Sequence, residues 1–430
     1  MSASRYPDLD RTALAAALED ARAGYAALAE SGLALDLTRG KPAPAQLDLA
    51  GPLLTAVTAD DYRSPGGVDV RNYGGLEGLP ELRAVFGELL GIPAEQLLAQ
   101  GNSSLVLMHA ALGFSVLHGT ADDGSSGWIR QPQAPKMLCP VPGYDRHYTV
   151  AESLGFELIP VPLTDEGPDM AVVRQLVAAD SSIKAMWAVP MYSNPTGITY
   201  SEPVVRELVS MTTAAPDFKI LWDNAYALHH LGPDEPAPLD VLGLAEASGN
   251  PDRVHVFAST SKITHAGAGV AFYASSPANI RWYLHHAGQM SIGPDKINQL
   301  RHLRFFQDAE GVRAHMRRHA EIIAPKFQAV LRTLDQGLGG LGIARWTRPA
   351  GGYFISLDVL PGTADRVIKL AAEAGIALTP AGAAFPHGLD PRDENIRIAP
   401  TLPEPQDVQK AVDGLVVCVR LAALEKLLAA

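Results

Sequence analysis

Six short apolar runs, separated by stretches long enough for helices, constrain this chain more than any other feature. They read KMLCPVP from Lys136, FELIPVPL from Phe156, IKAMWAVP from Ile183, KILWDNAY from Lys219, RVHVFAST from Arg253 and GAGVAFYAS from Gly267. Runs without polar alternation are buried on both faces. With helix-length spacers between them, they predict an α/β fold with a mostly parallel central sheet and helices on both faces. A chain of 430 residues exceeds what one core usually serves, so a second unit is expected. After Pro325 the texture changes to a long helix, a Gly-rich turn, YFISLDVL, a helix through DRVIKLAAEAG, and ENIRIAP before a terminal helix, which reads as a smaller α+β domain. At the start, Leu14, Leu18, Tyr25 and Leu28 fall near one face of a helix ending at Ser31–Gly32, and the extended LALDLTRGKPAP follows. The expected division is 1–55 as a helix and extended segment packing on the small domain, 56–318 as the large domain and 319–430 as the small C-terminal domain.

Charge and cysteines narrow the function classes. With 35 basic against 47 acidic side chains the net charge is −12, which disfavours non-specific binding to nucleic acid or an anionic membrane. Two cysteines, Cys139 and Cys418, make no disulfide framework and sit in no metal-ligand spacing; a reducing, cytoplasmic setting is expected. No signal peptide and no membrane span is read. The doublets His229–His230 and His285–His286 lack the i, i+4 spacing of a helical metal site, and no metal is expected. Gly337, Gly339 and Gly342 match a nucleotide-binding glycine pattern but follow a helical stretch instead of a strand.

Residues able to do chemistry gather just after the predicted strands, where open α/β sheets bind ligands. Lys262 follows VHVF between turn-forming serines, Ser259 and Ser261; desolvation there would favour a neutral, nucleophilic amine, while an exposed loop lysine is the plainer reading. Asp223 ends the buried run KILW, where a carboxylate needs a cationic partner or caps a helix. A protonated pyridine nitrogen is one such partner. Three residues on, the Tyr226 phenol could bond a ring oxygen. Asn194-Pro195-Thr196-Gly197 is a turn by composition, but it carries an amide able to serve the same oxygen. Gly101-Asn102-Ser103-Ser104 opens an apolar helix, and a helix N-terminus of this kind can bind phosphate or merely be capped by serine.

Asn194, Asp223, Tyr226 and Ser-x-Ser-Lys262, in this order and at these intervals, resemble the fold-type I aminotransferases of class I/II, which depend on pyridoxal 5′-phosphate. The phrases LTRGKP, RNYGGLEG, PGYDRHY, MYSNPTG, STSKITHAGAGVAF and SIGPDKINQLRH resemble a bacterial aspartate aminotransferase subgroup sometimes labelled MocR-like. The resemblance implies that Lys262 carries the cofactor as a Schiff base. It implies further that Tyr144 in Pro142-Gly143-Tyr144 stacks on the ring, that Tyr73 reaches the cofactor phosphate of a partner subunit, and that Arg397 in Asn-Ile-Arg-Ile-Ala holds the substrate α-carboxylate. Ser103, Ser104, Ser259 and Ser261 would serve the phosphate, and Asn194 and Gly40 would border the substrate. A homodimer with shared active sites is implied, taking an amino-acid donor and a 2-oxo acid acceptor such as 2-oxoglutarate.

One departure stands out. The family carries an arginine about eight residues after the lysine, paired with the phosphate, and this chain reads Ile-Thr-His-Ala-Gly-Ala-Gly-Val there. Aspartate or a related dicarboxylic amino acid is the expected donor, its side-chain carboxylate read by Arg39 or Lys41, with Lys296 of either subunit as a rival. Two alternatives use the same residues. One is a lyase acting at Cβ; the other is a cofactor-binding sensor domain of a transcription regulator, against which the acidic charge and the short stretch ahead of the resemblance argue.

Overall fold

The computed structural model describes residues 5–122 and 126–429. Eight strands form the main sheet, in the order Leu97–Ala99, Ala271–Ala274, Val254–Ser259, Lys219–Asp223, Ile183–Ala188, Lys136–Val141, Glu157–Thr164 and Gly167–Pro168. The five strands from Val254–Ser259 through Glu157–Thr164 are mutually parallel. The run at Ala271–Ala274 is an exception to the parallel reading: it lies antiparallel to both neighbours.

Strand alternation explains why these runs carry no polar face. Leu138, Met186, Ile220, Trp222 and Val256 enter one core, whereas Met137, Cys139, Trp187, Leu221 and Phe257 enter the core on the opposite face. Both faces are covered by helices, among them Ser104–His118 on one and Lys296–Phe306 on the other. This is the α/β architecture of fold type I.

A separate core gathers the two ends of the chain. Leu14 and Leu18 of the helix Arg11–Glu30 pack with Val408, Val412, Leu415 and Val419 of the terminal helix Pro405–Ala429. A three-stranded antiparallel sheet, Ala344–Trp346, Ile355–Val359 and Asn395–Ile398, lies in that core, and Leu35–Asp36 pairs in parallel with Ile376–Ala377. The helix Ala309–Leu338 begins well ahead of Pro325, which it contains, so that proline does not mark the change of texture read from the sequence. Val312 and Met316 of this helix pack under the large sheet, and Phe327, Val330 and Leu334 pack in the second core. One rigid element thus passes from one core to the other, and the boundary expected at 318/319 falls within it.

Candidate active site

Four of the buried strands end on the same side, and the residues that follow them converge. Tyr144 follows Lys136–Val141, Asn194 follows Ile183–Ala188, Asp223 closes its own strand, and Lys262 follows Val254–Ser259. They line two neighbouring cavities. The inner one, about 190 Å³, is bounded by Ser103, Ser104, Tyr144, Asn194, Asp223, Tyr226, Ser259, Ser261 and Lys262. The outer one, about 440 Å³, shares Tyr144, Asn194, Tyr226 and Lys262 and adds Arg39, Gly40, Asp145, Arg146, Phe354, Thr379 and Arg397.

In the inner chamber the polar groups are prepared but not satisfied. Asp223 is buried, and its Oδ2 lies 2.9 Å from His147 Nε2, whose ring stacks on Trp187 at 4.2 Å with planes 8° apart. The other carboxylate oxygen, Oδ1, is buried without a protein partner, as is Asn194 Oδ1. Asp223 therefore does not cap a helix; it is aimed and held by an imidazole, with one oxygen left to accept a proton donor. Ser103 stands at the N-cap of Ser104–His118 with no side-chain cap bond, so its hydroxyl is available beside the free N–H groups of the first turn. Ser259 Oγ donates to Ser261 Oγ at 2.9 Å.

Electrostatics follow the same plan. Burial pulls the Lys262 ammonium below its usual range, opposed by the charge of Asp223, so the neutral amine is easier to reach than in water. Its Nζ sits 4.9 Å from the centre of the Tyr226 ring. Burial, and secondarily the charges of Asp223 and Asp145, push the Tyr144 phenol up to about 12; burial drives that of Tyr226 well above its ordinary value. Both phenols are thus kept protonated as donors.

These groups fit pyridoxal 5′-phosphate on the chemistry of the donor set: an amine for its aldehyde, a carboxylate with a free oxygen for the ring nitrogen, an aromatic side chain at the wall, and hydroxyls with a helix N-terminus for the phosphate. Lys262 is the sole Lys or Arg side chain among the described residues lining the inner chamber. The missing arginine is therefore not replaced by another cation of this chain at that wall.

The outer chamber is built around Arg397, on the strand Asn395–Ile398. Its Nη1 reaches Asp145 Oδ1 and its Nη2 donates to Thr379 Oγ1, each at 3.3 Å; Nε is buried without a partner, and the guanidinium lies 5.2 Å from the centre of the Phe354 ring. Gly40 packs so closely on Phe354 that a Cβ there would run into the ring. Thr379 also donates to Thr38 O at 3.0 Å, tying the extended segment to the arginine.

Some candidates lie elsewhere. Lys41 is exposed and outside the cavity lining: its N–H is turned back to Arg39 O at 2.9 Å and its carbonyl accepts from Thr401, leaving the side chain on the surface. Lys296 is buried and donates to Asn72 O and Gly74 O at 2.9 and 2.5 Å, so it anchors the loop carrying Tyr73 and is not free to read a substrate. Tyr73 itself is 82% exposed, beyond both chambers. Sequence reasoning passed over Asp145, Arg146 and His147, although all three stand in the phrase PGYDRHY that supplied Tyr144. Their place in the first turn of Asp145–Ser153 was the available signal.

The fold and this site define an aminotransferase of fold type I. A family model described as aspartate amino-transferase matches residues 9–430. Aspartate aminotransferase of Corynebacterium glutamicum is 50% identical over 425 residues, covering 99% of this chain and 98% of that one. A solved aspartate transaminase structure from that organism superposes with a TM-score of 0.97 over 99% of this chain and all of the other. A Mycolicibacterium smegmatis protein named only as an aminotransferase is 58% identical over 98% of this chain and 99% of its own length. At the level of fold alone, an α-aminoadipate aminotransferase of Thermus thermophilus, complexed with N-(5′-phosphopyridoxyl)-L-leucine, has a TM-score of 0.72 at 23% identity, over 92% of this chain and 93% of that one. The chain belongs to the aspartate aminotransferase family.

Proposed function

We propose that the protein is a pyridoxal-phosphate-dependent aspartate transaminase, moving the amino group of aspartate to a 2-oxo acid such as 2-oxoglutarate. The observation that carries this reading is the convergence of Lys262, Asp223, Tyr226, Asn194 and Arg397 on two adjoining cavities. When bound, the cofactor supplies an aldehyde for the amino group and a ring that takes up the electron pair left at Cα. Lys262 Nζ, held partly desolvated, would take the donor's Cα proton and deliver it to the carbon of the cofactor's aldehyde, and would run the same transfer in reverse for the acceptor. Asp223, fixed by His147, would keep a proton on the ring nitrogen. Tyr226 and Asn194 would serve the ring oxygen, Tyr144 would face the ring, and Ser103, Ser104, Ser259 and Ser261 with the helix N-terminus would hold the phosphate. Arg397 takes the α-carboxylate as a fork, with Phe354 and Gly40 closing the wall.

Besides Arg397 and Lys262, two cations line the outer chamber, Arg39 and Arg146, and they support a dicarboxylic donor. A homodimer is supported by the exposed apolar side chains Tyr73, Met290 and Ile292, whose segments adjoin where Gly293 packs on Gly74. In that assembly Tyr73 would reach the partner's phosphate. The two cysteines are buried and unpaired, in keeping with a cytoplasmic setting; among the described residues no helix is long and apolar enough to cross a membrane.

An amino-donor panel with 2-oxoglutarate as acceptor tests the reading, run on the wild type, Arg39→Ala and Arg146→Ala. Aspartate is expected to be the best donor. A charge-assisted contact is worth about 1.5–3 kcal/mol, so at least one variant should lower the aspartate-to-alanine ratio of kcat/KM by roughly 10- to 150-fold. A wild type that prefers an aromatic or aliphatic donor would end the aspartate assignment.

A further inference from the structure

The turn that presents Lys262 is gripped from behind by buried groups that take no part in the chemistry above. Ala43 N–H donates to Gln46 Oε1 at 2.9 Å, which fixes the orientation of the Gln46 amide. Its Nε2 then faces His319 Nδ1 at 2.9 Å and donates to Tyr353 OH at 3.0 Å. An amide nitrogen only donates, so His319 Nδ1 must be the acceptor and its neutral ring carries the proton on Nε2. Having accepted from Gln46, the Tyr353 hydroxyl spends its own proton on Lys262 O at 3.3 Å. His315 Nε2 donates to Ile263 O at 2.7 Å, so it carries a proton and cannot also accept from His319 Nε2, 3.0 Å away. Two separate arms thus reach the consecutive carbonyls: Gln46 through Tyr353 to Lys262 O, and His315 to Ile263 O. Every side chain in this cluster is buried: Gln46 and Tyr353 are 0% exposed, His319 1% and His315 5%.

These four residues come from three places in the fold. Gln46 belongs to the N-terminal segment, the histidines sit one helical turn apart on the helix that passes between the two cores, and Tyr353 stands two residues ahead of the small-sheet strand Ile355–Val359. We propose that the Gln46–Tyr353 relay and His315 clamp the backbone of Lys262 and Ile263 from behind and so position Lys262, so that the place of its amine is set by the packing of the N-terminal segment and the small sheet against the long helix. They are positioning residues, since none of them lines either chamber. The direction of the relay is decided by one amide: an oxygen in place of Gln46 Nε2 would draw the Tyr353 proton to itself and release the Lys262 carbonyl.

The inference rests on Lys262 being the reacting amine. Its test uses the cofactor-loaded enzyme in four forms: wild type, Tyr353→Phe, Gln46→Glu and the double variant. Amide hydrogen exchange is followed at Ile263 and Thr264, whose N–H groups both bond Thr260 O at 2.9 Å, and kcat and KM are measured with the preferred donor. Each single variant should raise exchange at these two amides at least fivefold. Each should also lower kcat by roughly ten- to a hundredfold, the scale expected of an ångström-level misplacement, with KM within about threefold. Because both changes cut the same link, the double variant should be no slower than the worse single. Wild-type exchange in Tyr353→Phe, or kcat losses that multiply in the double, would overturn the relay. Should Gln46→Glu fail to fold, Tyr353→Phe decides by exchange and by the split between kcat and KM, since it removes one oxygen and keeps the packing. Failure of the underlying reading looks different: Lys262→Ala would then turn over normally whatever the relay variants do.

Discussion

Arg397→Lys keeps one positive charge and removes the flat two-pronged guanidinium. Its present partners hold it loosely: Asp145 and Thr379 are each 3.3 Å away, and Nε has no protein partner. Bonds of that length are weak, so most of the fork's donor capacity is available to a carboxylate. A lysine can offer one charge-assisted bond where arginine offers two. The missing bond is worth about 1.5–3 kcal/mol, or roughly 10- to 150-fold in KM. Loss of the guanidinium over Phe354 moves the effect toward the upper end. Donor and acceptor share the same α-carboxylate geometry, so KM should rise for both, while kcat stays within about threefold because no proton is moved by this side chain. Steady-state kinetics with each substrate varied in turn measure this. Unchanged KM for both substrates would assign Arg397 to the fold, and a rise for one substrate alone would refute the shared carboxylate site.

Asp223→Ala should cut the rate by several orders of magnitude and weaken cofactor retention, because His147 would be left facing the ring nitrogen without the carboxylate between them; a loss below about tenfold, roughly 1.4 kcal/mol, would show that another group holds that nitrogen. Acid stability gives an independent check. Burial holds His302 down to about 4 and His319 down to about 3, against about 6.5 in an unfolded chain. The unfolded chain then binds protons that the folded one refuses, so this contribution is complete above about pH 6.5 and is lost as pH falls toward the folded values, at about 1.4 kcal/mol per pH unit for each histidine. Urea melts between pH 7 and pH 5 should show the decline, with a shallower slope in His319→Gln; equal stability across that interval would contradict it.

The strands and the cofactor-side residues were legible because each depends on local signals: a run apolar on both faces, then a reactive side chain at its C-terminal end. Lys262, Asp223, Asn194 and Tyr144 all obey that rule. Strand direction at Ala271–Ala274 was not legible, since an antiparallel and a parallel buried strand carry the same apolar pattern and differ only in the partner's path. The reach of the long helix past Pro325 was hidden because a helix can absorb one proline when tertiary packing holds both sides. Cation roles failed for a related reason. Lys41 and Lys296 look equally able to read a carboxylate in sequence, and only the fold shows one on the surface and the other spent on two backbone carbonyls. Gln46, His315, His319 and Tyr353 are spread over some three hundred positions, so no spacing argument could join them.

The central claim is that Lys262 is the amine that holds the cofactor and moves the Cα proton, and one comparison tests it most directly. Wild type and Lys262→Ala are purified with pyridoxal 5′-phosphate, their visible absorbance is recorded, and single-turnover conversion of aspartate is followed. The wild type should show a cofactor band that shifts on adding aspartate, and the variant should lose covalent attachment of the cofactor and convert aspartate more slowly by several orders of magnitude. A Lys262→Ala protein that retains the covalent band, or that turns over aspartate at the wild-type rate, would contradict the account.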